Sequence, residues 1–191
     1  MKKYGFGVDI GGTTIKMGFF ETSGKLLDKW EIKTDTENGG KNILSDVAQS
    51  IDNKLAQEAI SKSEVQGVGI GVPGLVDNQS GIVVQTPNMP FSNTPFRELF
   101  QKQWNVPVYM GNDANCAAIG EYWAGAAKGR ETAMMITLGT GIGGGLVIGG
   151  KLYAGFAGGG MEVGHMVINP NGPTCGCGRK AALSSLLPQP R

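Results

Sequence analysis

Cysteine is scarce in this sequence. Cys116, Cys175 and Cys177 are the only three among 191 residues, too few and too unevenly spaced for a disulfide framework, which fits a reducing compartment and a cytoplasmic location. An excess of either charge is also missing: 17 basic side chains against 16 acidic ones leave a formal net charge of +1. That balance excludes bulk attraction to nucleic acid or to an anionic membrane, so any partner must be recognised at a local site. No apolar run near the start is long enough for a signal segment or a membrane span, and Met1-Lys2-Lys3-Tyr4 leads straight into a glycine-punctuated strand. Neither a nucleic-acid nor a membrane partner is expected. Histidine occurs once, as His165.

Glycine is what the sequence has in abundance. The count of 32 is well above the usual share of about 7%, and it gathers at Gly11-Gly12, between Gly139 and Gly145, at Gly149-Gly150 and between Gly158 and Gly160. Such clusters mark places where a backbone turns sharply or approaches a ligand closely.

Alternation and turn residues predict strands over 4–10, 14–20 and 25–33, an antiparallel meander. Apolar residues at Ile43, Leu44, Val47, Ala48, Ile51, Leu55 and Ala59 recur at helical spacing and predict a helix over 42–60 with one buried face. Strands over 68–72 and 81–85 follow, then a brief helix after Pro95, a strand over 106–110 and a small-residue helix from 114 to about 124. Strands that feed helices that feed strands indicate an α/β layered domain. Predicted strands over 132–138, 145–148 and 151–153 then repeat the opening meander, each copy carrying a glycine and threonine turn after its first strand. The duplication predicts two lobes across a cleft, with only the beginning of the second present.

Asp9-Ile10-Gly11-Gly12-Thr13-Thr14-Ile15-Lys16 places a carboxylate at a strand end, two glycines at the turn and two hydroxyls after it. A turn of this type can aim successive N–H groups at an anion, while the carboxylate can hold a hydrated metal ion. Leu138-Gly139-Thr140-Gly141-Ile142-Gly143-Gly144-Gly145 offers a second. Each taken alone is equally a hairpin turn. Neither has the Lys-Ser or Lys-Thr of a Walker loop, and neither opens a helix as a dinucleotide fingerprint does. Asp113, in Asn112-Asp113-Ala114-Asn115, sits where a strand gives way to a helix. It is either an N-cap or a general base that takes the proton of an attacking hydroxyl at a terminal phosphate. His165 lies ten residues before Cys175-Gly176-Cys177-Gly178; three such ligands suggest zinc, one short of a closed tetrahedron.

With Gly71-Val72-Pro73-Gly74 and Gly160-Met161-Glu162-Val163-Gly164-His165 added, these motifs resemble the ROK family of sugar kinases over residues 1 to 180, and most of all its bacterial glucokinases. The resemblance implies an actin-like, ribonuclease-H-like ATPase fold. It implies a lobe over 1–123 and the start of a second over 124–180. It implies ATP with Mg2+ held around Asp9, Gly11, Gly12, Thr13, Thr14, Lys16, Gly139, Thr140, Gly141 and Gly143. Asp113 would be the base on the 6-hydroxyl of a hexose, with Gly74, Asn88, Asn112, Glu162 and His165 around the sugar, and His165, Cys175 and Cys177 would bind a structural Zn2+. Glucose is the expected substrate. N-acetylmannosamine, N-acetylglucosamine or fructose kinases, and non-catalytic sugar-binding ROK proteins, are the alternatives. A homodimer is expected of the full-length form.

Two departures stand out. Met161 replaces the small residue usual before the glutamate. After Arg179-Lys180 the family continues with glycine, cysteine, any residue and glutamate, supplying a fourth zinc ligand and another sugar carboxylate, where this chain reads Ala181-Ala182-Leu183-Ser184. One added base before a permitted set of codons restores glycine, cysteine, leucine and glutamate. The expectation is therefore an out-of-frame segment over 181–191, weak or absent kinase activity for these 191 residues, and an uncovered apolar face.

Overall fold

A computed structural model describes residues 2–87, 89–139, 141–156 and 158–186. Backbone contacts divide the chain into two units, Met1–Asp113 and Ala114–Arg191.

The first unit is built on a five-stranded sheet. Strands β1 (Tyr4–Ile10), β2 (Thr14–Glu21) and β3 (Leu26–Lys33) form the expected antiparallel meander. β4 (Val65–Val72) pairs parallel to β1. Three short strands, β5 (Leu75–Asp77), β6 (Ile82–Gln85) and β7 (Ser92–Thr94), make a separate antiparallel sheet. β8 (Val108–Asn112) then returns parallel to β4, giving the order β3-β2-β1-β4-β8.

Helix α1 (Ile43–Gln57) buries Ile43, Leu44, Val47, Ala48, Ile51 and Leu55, the residues that the 3.6-residue period selects. Helix α2 (Phe96–Gln103) buries Phe96 and Phe100. These side chains meet Ile10, Ile15, Val68, Ile70 and Trp104 in one core. Each large side chain removed from water there contributes about 1.5–3 kcal/mol before entropy is counted. The Trp104 indole N–H donates to Asp52 at 2.9 Å, so the largest buried ring leaves no polar group unsatisfied.

The parallel register positions the site. Asp9 stands opposite Gly71, Gly71 opposite Gly111, and Val72 opposite Asn112. The last residues of β1, β4 and β8 therefore end on one edge of the sheet, where ligands of open α/β sheets collect.

In the second unit, β9 (Thr132–Leu138), β10 (Ile142–Ile148) and β11 (Lys151–Leu152) repeat the meander in the order β11-β10-β9. Helix α3 (Asp113–Ala124) begins at the division. A Cβ on Gly143 would lie 3.1 Å from Ala114 Cβ, and one on Gly145 would collide with Ala118. Small residues on both sides let helix and strand approach closely. This packing puts the helix with the second unit and moves the division about ten residues ahead of the expected boundary between 123 and 124. Residues 181 to 186 are folded in as well: Ala181 and Ala182 are fully buried, Ala182 bridges Val167, and α4 (Leu183–Leu186) follows. No helix among the described residues is long and apolar enough to cross a membrane.

Candidate functional site

The first glycine turn is tied down from both sides. The Gly11 N–H donates to the Thr14 carbonyl at 3.1 Å, and a Cβ at Gly11 would sit 2.8 Å from that same oxygen. Only glycine fits there. The buried Thr34 donates its hydroxyl to the Gly11 carbonyl at 2.6 Å and its N–H to the Thr13 carbonyl at 3.0 Å. With Gly11 engaged inside the turn, Gly12 and Thr13 are left exposed. Thr34 was not legible as a site residue, because a lone threonine at a strand's end carries no motif.

Asp9 leads into this turn and stands opposite Lys16 across the β1–β2 ladder. Loss of hydration pushes its carboxyl pKa up, the like charge of Asp113 pushes it further, and Lys16 offsets part of the rise. That effect on Asp9 puts Asp113, the half-buried first residue of α3, within electrostatic reach of the first turn. Two carboxylates repelling one another at a strand edge favour a bound cation.

Asn112, one residue earlier, donates its side-chain amide to the Gly74 carbonyl at 3.0 Å. Gly74 has a φ of +91°, and a Cβ there would strike the Gln85 carbonyl and lie 3.0 Å from Thr86 Cα. Buried Thr86 organises the loop that follows, donating to the Met89 carbonyl at 2.5 Å and accepting from the Phe91 N–H at 3.3 Å. It too escaped sequence reasoning, for the same reason as Thr34. Asn88 lies outside the described residues.

In the second unit the Gly139 N–H donates to the Gly141 carbonyl at 2.9 Å and closes the second turn. Thr140 lies outside the described residues, while Gly139 and Gly141 are exposed. Gly143 has a packing reason against α3 that needs no ligand.

Beyond β11, Glu162 precedes a single 3-10 turn, Val163–His165. The Glu162 carboxylate lies 3.8 Å from His165 Nε2. On the other side of the ring, Nδ1 lies 3.9 Å from Cys175 Sγ. The donor atoms of His165, Cys175 and Cys177 all fall within 4.8 Å of one another. Zinc holds thiolate sulfur at about 2.3 Å and imidazole nitrogen at about 2.0 Å, which sets tetrahedral donors roughly 3.5–3.8 Å apart. The three side chains fit such an ion after a small closure. The Arg179 N–H pulls the pKa of the exposed Cys177 thiol below its ordinary value, favouring the thiolate that binds metal.

The ROK family model matches residues 5–187. This chain belongs to the ROK family. Among its curated ROK relatives, the glucokinase of Halalkalibacterium halodurans is 40% identical over 181 residues, which cover 94% of this chain and 55% of that one. A ROK hexokinase structure from Thermus thermophilus superposes with a TM-score of 0.82 at 35% identity, over 96% of this chain and 59% of the other. The structure of a ROK glucokinase from Streptomyces griseus in complex with glucose and AMPPNP has a TM-score of 0.78 at 36% identity, over 95% and 56% of the two chains. The chain therefore spans about half the length of the relatives it matches, and its fold is the actin-like ATPase fold that the ROK motifs implied.

Proposed function

We propose that this ROK chain carries the phosphoryl-acceptor side of an ATP-dependent hexose kinase, with glucose as the substrate. The observation that carries this reading is the placement of Asp113, at the edge where β1, β4 and β8 end and close enough to Asp9 to raise its pKa. In that role Asp113 accepts the proton of the sugar 6-hydroxyl as its oxygen bonds to the terminal phosphorus, while the bond to the bridging oxygen breaks and ADP leaves with the electron pair. Gly12 and Thr13 N–H groups and the Thr14 hydroxyl hold phosphate oxygens, and Lys16 adds positive charge beside Asp9. Mg2+, when bound, neutralises phosphate charge; Asp9 is the residue that would hold it. Asn112, held against Gly74, orients a sugar hydroxyl. Glu162 and His165 are proposed to contact the sugar, and Gly139 and Gly141 the nucleotide.

A zinc ion on His165, Cys175 and Cys177, a homodimer of the full-length form and a cytoplasmic location complete the proposal. The 6-phosphate of glucose is the product. Transfer of labelled γ-phosphate from ATP, measured over glucose, fructose, N-acetylmannosamine and N-acetylglucosamine, tests the reading. Glucose is expected to take up the most label, slowly. Greater label uptake by another of the four sugars, or uptake independent of the sugar supplied, would contradict it.

A further inference from the structure

The metal cluster has three protein donors, and the chain folded around it supplies no fourth among the described residues. Residues 179 to 183 run beside both halves of the cluster. The Cys175 N–H donates to the Arg179 carbonyl at 2.8 Å, the Ile168 N–H to the Ala181 carbonyl at 3.2 Å and the Leu183 N–H to the Met166 carbonyl at 2.9 Å. Arg179, Lys180, Ala181 and Ala182 offer no soft donor. Glu162 faces Nε2 of His165 while Cys175 faces Nδ1. It therefore lies on the side of the ring away from Cys175, 3.8 Å from Nε2, and is not one of the clustered donors. Gly176, Cys177 and Gly178 are exposed, so an ion held there would meet solvent on that side.

We propose that a zinc ion held by His165, Cys175 and Cys177 keeps its fourth position open to an exogenous thiolate. Three protein ligands with water in the remaining place is the open form of zinc coordination, and a thiolate displaces that water because zinc readily takes sulfur ligands. The Arg179 guanidinium, which donates to the His165 carbonyl at 3.3 Å, adds positive charge beside the incoming anion.

The inference rests on the metal reading above, and cobalt(II) separates the two. The 191-residue chain, with Cys116→Ser so that only the cluster's sulfurs report, is titrated with cobalt(II) and then with 2-mercaptoethanol. Tetrahedral visible bands and a sulfur-to-cobalt charge-transfer band are expected first. The charge-transfer intensity then rises by about one half as sulfur donors go from two to three. X-ray absorption of the zinc form of the unsubstituted chain should show the same step. Failure to bind cobalt overturns both readings. Binding with no response to thiol, or three sulfurs before thiol is added, overturns the open position alone.

Discussion

The side-chain amide of Asn112 reaches the main-chain carbonyl of Gly74 at 3.0 Å, joining the end of β8 to the turn after β4. Removing either partner should act differently. Asn112→Ala forfeits one hydrogen bond, about 1 kcal/mol, and should weaken sugar binding more than it weakens the fold. Gly74→Ala forces a side chain onto a φ of +91° and into the Gln85 carbonyl, a loss of about 2 kcal/mol or more. Urea unfolding of both variants measures the contrast.

The raised pKa of Asp9 has a definite sign. Above its folded value the carboxylate is ionised, partly dehydrated and beside Asp113, a penalty that the unfolded chain does not carry. Protonation lifts the penalty as the pH falls toward the ordinary value of 3.8. Asp9→Asn should therefore raise Tm at pH 8, and the gain should shrink as the pH falls toward 3.8. Phosphoryl transfer should be lost in the same variant. Scanning calorimetry at the two pH values checks the sign; a lower Tm at pH 8 would reverse it.

Met161 and Ala181 hold φ values of +65° and +55°, a region that costs a side chain roughly 1–2 kcal/mol. Glycine relieves that cost and returns part of it as backbone entropy. Met161→Gly should stabilise the chain by about 0.5–1 kcal/mol, read from denaturant midpoints, whereas at the fully buried Ala181 loss of the methyl offsets about 0.8 kcal/mol of the relief. At Ala181 glycine is also the residue that the alternative reading frame supplies, so the backbone there suits the family pattern better than the alanine present.

β9 ends its sheet with Met134, Ile136 and Leu138 exposed by 63%, 46% and 74%. Thr132–Leu138 contains no charge, proline or glycine, the composition that leaves an edge strand open to pairing. The wild-type chain should associate as its concentration rises. Ile136→Lys should suppress that association without lowering Tm, a pair of results that sedimentation velocity and calorimetry can measure.

Much of this was legible in the sequence. The alternation of β1 to β3 and the period of α1 come from residues whose burial is decided locally by one sheet face or one helix stripe. The brief strands β5 and β7 were not, because Leu75–Asp77 and Ser92–Thr94 are too short to alternate, and the intervening loop is organised by the buried Thr86. β10 was expected only from Gly145, yet it starts at Ile142. Its glycines resemble a loop in sequence and serve close packing against α3 in three dimensions. The glycine turns and His165 with its two cysteines announced themselves by spacing. Thr34, which holds the first turn, did not, since hydrogen bonds to distant carbonyls leave no local pattern.

The account depends on Asp113 acting as a base and not merely as the first residue of a helix. Labelled-phosphate transfer to glucose, measured alongside glucose affinity for wild type and Asp113→Asn, tests this most directly. A fall of about a hundredfold to ten-thousandfold in rate, with glucose affinity unchanged and Tm not lowered, is the predicted result. A folded variant that transfers phosphate within tenfold of the wild-type rate would contradict it.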